Sequence, residues 1–162
     1  MAAGNTYTPL ATTTLASAAS SYTFSSISGS YTDLVLVYEG IHSGNGDIRI
    51  QYNGDTATNY SDTVFKGNGT TASSTRSTSA TYCYLAYTDP STRTAIIAHI
   101  QNYSNATTYK PLLSRFSTAG STVGVIAGLW RSTAAITSIT ISSSVYNFST
   151  GSTFTLYGIL AA

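Results

Sequence analysis

Residues 47–53 read DIRIQYN, and they alternate cleanly. Ile48, Ile50 and Tyr52 fall on one face of an extended chain, Arg49 and Gln51 on the other. That is a strand with one face in a core and the other toward water. Working outward, LVLVYEGI (34–41) and TVGVIAGLW (122–130) are apolar on both faces, as central strands covered on both sides are. ITSITISSSV groups Ile139, Ile141 and Val145 and leaves Ile136 out of phase, which places a bulge or turn near Thr137. In the closing GSTFTLYGIL (151–160), Phe154, Leu156 and Leu160 share a face with Gly158. SYTFSSI, TYCYLAYT, TAIIAHIQNY and KPLLSRFS supply further strands.

Clusters of Gly, Asn, Ser and Asp separate these runs, and Pro9, Pro90 and Pro111 fall at strand starts or turns. Nine or ten short strands at this spacing give an all-β chain, a single antiparallel β-sandwich of jelly-roll type. Leu36, Ile50, Ile97, Val125, Ile141 and Leu156 are its expected core. Nothing sustains a helical stripe, and LASAAS (15–20) is the one candidate helical turn. GNGTTASSTRSTSA (67–80) has no apolar member besides alanine and reads as an exposed, mobile loop. The division expected is an N-terminal arm over 1–20 and a sandwich domain over 21–162. The arm is too poor in apolar mass to order itself. It is expected to lie along a neighbouring subunit through Tyr7, Leu10 and Leu15.

Composition narrows the function. The 162 residues suit one domain. Charged side chains make up 8% of them, against about 25% in ordinary soluble domains. Ser and Thr together number 53, so hydroxyls coat the surface where ions usually do. A net charge of +1 with no basic run offers nothing to nucleic acid or an anionic membrane. Little repulsion opposes self-contact, so a homo-oligomer is expected. The single Cys83 excludes an intrachain disulfide, and its setting in TYCYLAYT is that of a buried strand thiol. The N-terminus has no signal-peptide pattern and no run reaches the ~20 apolar residues of a membrane helix. The Asn-X-Ser/Thr triplets at Asn59, Asn68, Asn102, Asn105 and Asn147 follow from composition.

No chemistry stands out. His42 and His99 are the only histidines, and His99 in IIAHIQ reads as a strand residue. There is no G-x-S-x-G elbow, and GNGT lacks the ending of a phosphate loop. Glu39 and Asp47 could be drawn as a carboxylate pair, yet their spacing does not single them out. Asp55, Asn59 and Asp62 in NGDTATNYSD could offer oxygen ligands to calcium, but NGD is first a tight turn. No catalytic residue, cofactor or metal site is therefore expected, and the chain is read as a non-enzyme. Thirteen tyrosines are the closest thing to a signal. Tyr82, Tyr84 and Tyr87 crowd one strand, and tyrosine suits interfaces and sugar-binding surfaces alike.

TFSSISGSYTDLVLV, IQYNGDTATNYSD followed by GNG, IIAHIQNYSNATTYKPLLS, AGLWRSTAAITSITI and GSTFTLYGI occur in this order. Together they resemble a family of tailed-bacteriophage virion structural proteins, some labelled tail-fibre proteins, over residues 22–160. The resemblance implies a β-rich structural module of a phage particle, localised to the virion, and carries over no catalytic residues. The expected role is a capsid cement or decoration subunit, clustered as a trimer and contacting the major capsid protein. The alternative is a tail-fibre or baseplate module that recognises host glycans.

Overall fold

The computed structural model describes residues 6–160. Among them there is no helix. The strands are β1 (Tyr7–Thr14), β2 (Ser21–Phe24), β3 (Asp33–Ile41), β4 (Gly46–Tyr52), β5 (Tyr60–Gly67), β6 (Ala72–Ala80), β7 (Cys83–Thr88), β8 (Arg93–Ile100), β9 (Lys110–Thr118), β10 (Thr122–Trp130), β11 (Ile139–Ser143) and β12 (Thr153–Ile159). They form two antiparallel sheets, β1-β12-β3-β8-β9-β10-β5-β6 and β2-β11-β4-β7. The fold is the expected all-β sandwich. Its sheets are unequal, eight strands against four, where a jelly roll divides eight strands between two sheets.

Period-two alternation builds the core. Ile48, Ile50 and Tyr52 of β4, Ile139 and Ile141 of β11, and Cys83 and Leu85 of β7 point inward from the small sheet. They meet Leu34, Leu36 and Tyr38 of β3, Ile96 and Ile100 of β8, Leu112 of β9, Ile126 of β10, and Phe154 and Leu156 of β12. Burying each such side chain is worth about 1.5–3 kcal/mol. Lys110 is also buried. Its Nζ donates to the Thr108 and Thr133 carbonyls, pinning two loops at one end of the sandwich.

Four expectations need correction. The arm over 1–20 is in large part an edge strand: β1 pairs with β12 from Tyr7↔Ile159 to Thr14↔Thr153. Leu10 and Leu15 pack against the chain's own core. Backbone pairing with β12 supplies the order that apolar mass could not; residues 1–5 lie outside the described part. The supposed loop over 67–80 is mostly β6, paired to β5. It was missed because an edge strand exposed on both faces has no apolar alternation to read. LASAAS forms bends, not a helical turn. Finally, Leu36, Ile50, Ile141 and Leu156 are buried, but Val125 is exposed and Ile97 half-buried, and Val145 leaves β11 for solvent.

Every edge is blunted. β1 carries Pro9 and a bulge at Leu10. β6 carries Arg76 and a bulge at Thr78–Ser79, where Ser79 takes φ 54°. β2 is only four residues long. β7 is closed by side chains of the large sheet. Asp62 accepts the Tyr84 N–H at 2.9 Å, while Ser114 and Thr118 donate to the Leu85 and Tyr87 carbonyls, each at 2.8 Å. These polar groups are buried because they complete the ladder of a strand lying across them.

Candidate interaction surfaces

The eight-stranded sheet has an inner face covered by the small sheet except at β6, and among the described residues no other element lies over its outer face. Register defines the outer face. One cross-strand row runs Ser74, Phe65, Val125, Arg115, Ile97, Val37. A second runs Arg76, Thr63, Ala127, Leu113, His99, Val35, and a third Ala72, Gly67, Val123, Ser117, Ala95, Glu39. Exposure is high where a core would demand none: Val123 61%, Phe65 53%, Leu113 52%, Val125 41%. Scattered apolar residues are ordinary on a surface; a contiguous sheet face of them marks an interaction site.

Two depressions shape this face. One, of about 640 Å³, is lined among others by Phe65, Val123, Val125 and Ser74. The other, of about 240 Å³, lies between Ala95, Ile97, Arg115 and Ser117. Charge is sparse: Glu39 pairs with Arg93 at 3.1 Å, Arg115 stands among apolar neighbours, and Arg76 stands opposite Thr63 on β6.

The expected tyrosine cluster is a second surface. Ile48 pairs with Ala86 and Arg49 with Tyr84, so β7 bulges at Leu85 and Tyr87 returns to the face of Tyr82 and Tyr84. The Tyr82 and Tyr84 rings meet edge to face at 5.3 Å, and Tyr84 stacks on Tyr87 at 5.6 Å. The Arg49 guanidinium lies 4.0 Å over Tyr82 and the Lys66 ammonium 3.8 Å over Tyr87. Asp47 pairs with Arg49. The hydrogen bond between the Tyr82 and Tyr84 hydroxyls, then burial, pushes the Tyr84 phenol well up, and burial raises that of Tyr87. The row offers hydroxyls and cations, because cations and neighbouring rings already cover its ring faces.

The remaining sequence candidates scatter. Tyr7 is exposed and touches Tyr157 edge-on at 6.2 Å. Glu39 and Asp47 sit on outward faces of different sheets and make no carboxylate pair. The Asp55 carboxylate accepts from Trp130 Nε1 at 2.7 Å, Asn59 Nδ2 at 2.8 Å and the Ala57 N–H at 2.9 Å. It is a turn anchor, whereas Asp62 is turned to β7. Among the described residues no cluster of three or more His, Cys, Asp or Glu could hold a metal. Cys83 is buried, with its thiol pushed up to about 12 chiefly by burial. His42 is buried too, its Nδ1 3.0 Å from the Gly44 carbonyl and 3.2 Å from Thr88 Oγ1.

Sequence reading missed Phe65, Leu113 and Val123, and took Val125 and Ile97 for core. The signal was present. TVGVIAGLW is apolar on both faces, and the described residues cover only one of them.

No protein-family model matches the chain, and no curated protein does. Among solved structures, the alginate lyase Aly36B overlaps 93% of this chain and 81% of its own at 9% identity and a TM-score of 0.33. A double mutant of Aly36B in complex with alginate tetrasaccharide overlaps 82% and 72% at 10% identity and a TM-score of 0.30. The all-β sandwich is read from the strands themselves.

Proposed function

We propose that this chain is a non-catalytic structural subunit that acts by being packed against neighbours, and that it serves in a bacteriophage virion as a capsid cement or decoration protein. One observation carries the reading: the open face of the large sheet is apolar in the rows where a partner would sit. The ordered sequence stretches that resemble virion proteins supply the particle. Its partners are further copies of itself and the major capsid protein. Apolar contact repeated by symmetry resists internal pressure without any single strong bond. Counting this chain by quantitative mass spectrometry in purified particles is the test. Hundreds of copies per particle are expected, and absence from the particle overturns the reading.

A second reading, a glycan-binding module of a fibre or baseplate, draws on Tyr82, Tyr84 and Tyr87 beside Arg49 and Lys66. It requires a sugar to displace cations from ring faces. Tens of copies or fewer, with binding to host surface polysaccharide lost in Tyr84→Ala, favour it instead.

A further inference from the structure

We infer that the outer face of the large sheet docks a second copy of this chain, about a twofold axis running along the strands between β9 and β10. The inference deepens the structural-subunit reading and rests on it. Its geometry comes from one row. Phe65, Val125, Arg115 and Ile97 stand on β5, β10, β9 and β8, at equal steps and at the same height along the strands. An axis midway along that row, lying in the plane of the contact, exchanges Phe65 with Ile97 and Val125 with Arg115. Phe65 is the exposed aromatic at one end of the row. Ile97 lies in the 240 Å³ depression at the other end, with Arg115 on its wall. Each copy thus sets its Phe65 ring into the other's depression, against the Arg115 guanidinium. A contact that a twofold axis uses twice is self-complementary by construction, and an aromatic face is a suitable cover for a guanidinium removed from water.

Three features point to a second copy in particular. The first is size. Six strands, β3 to β6 in sheet order, span about 24 Å across and about 26 Å along. That is roughly 600 Å² of flat area before side-chain relief, close to the ~800 Å² per partner of a stable interface. The second is charge. Among the described residues the charged side chains on the rows the axis brings together are few, Arg115, Arg76 opposite Thr63 and the Glu39–Arg93 pair at the far end, so most of what two identical faces bring together is apolar or hydroxyl-bearing. The third is exclusion. Proline, bulges, a short strand and capping side chains blunt all four sheet edges, which leaves sheet extension poorly available and the face open.

Sedimentation of the full chain tests the pairing. A dimer at micromolar concentration is expected. Phe65→Ser, which removes the knob, and Ala95→Arg, which fills the depression, should each weaken it at least tenfold with unchanged far-UV circular dichroism and melting temperature. Cysteine pairing reads the axis directly. A mixture of Phe65→Cys and Ile97→Cys chains should form the mixed disulfide under mild oxidation, while neither chain cross-links alone; the buried Cys83 takes no part. A monomer, a trimer, a dimer indifferent to both surface substitutions, or single-variant cross-linking overturns the pairing. The particle count is independent of it. A monomer abundant in particles removes only the dimer, whereas a dimer absent from particles removes only the structural role.

Discussion

At the scale of single residues, two aspartates close together in sequence respond to acid in opposite directions. Burial pushes the Asp62 carboxyl up, with the Tyr84 N–H and the Ser77 hydroxyl pulling back. Burial also raises Asp55, but the Asn59 amide, the Trp130 indole and the Ala57 N–H together hold it below its usual range. A raised carboxyl means the folded state binds the proton more tightly, so Asp62 adds stability as pH falls through about 4 and withdraws it as pH rises. A lowered carboxyl does the reverse: the Asp55 contribution is present above about 4 and lost as pH falls further. Asp62→Asn should therefore raise the melting temperature at pH 7, with a gain that shrinks in acid. Asp55→Asn removes one of the acceptors from this anchor and should cost about 1–3 kcal/mol at pH 7, a penalty that also fades in acid. Urea melts of both variants at pH 3 and pH 7 check the signs. Gly158 is a different kind of constraint. A Cβ there would lie 2.4 Å from the Tyr31 ring, so Gly158→Ala must displace that ring and should cost about 1–3 kcal/mol, measured in the same melts.

At the scale of elements, the N-terminal strand carries more of the fold than its sequence suggests. Without residues 1–14, β12 becomes an unprotected edge of the large sheet, stripped of Pro9 and its bulge. The truncated chain should melt several degrees lower and aggregate on standing, as calorimetry and light scattering would show. Wild-type behaviour of the truncation would return β1 to the status of a dispensable arm. The half-buried strands were legible from sequence because one face meets core and the other water: β4 is the clearest case, and β2, β11 and β12 follow it. β6 was illegible because both its faces meet water. β10 was legible as a strand and misread in its surroundings, because Val123 and Val125 look like core when only one chain is considered. The tyrosine row was half legible. Tyr82 and Tyr84 share a face by parity, while Tyr87 joins them through a bulge that no local pattern announces.

At the scale of the whole molecule, the first and last strands lie side by side. β1 pairs antiparallel with β12, and Tyr7 stands opposite Ile159. Positions 7 and 159 therefore sit at one end of the same ladder. Force applied between them opens that ladder like a zipper, one rung at a time, so each hydrogen bond of about 1 kcal/mol bears the load alone. Force applied between positions 14 and 159, at opposite ends, shears all the rungs together. Optical-tweezer handles placed at the two pairs of sites should record early, low-force peeling in the first geometry and one abrupt, higher-force rupture in the second. Equal forces would show that the β1–β12 ladder is not where the molecule yields. Load that enters through positions 7 and 159 meets one rung at a time, whereas load spread over the broad faces of the sheets does not run along that ladder at all.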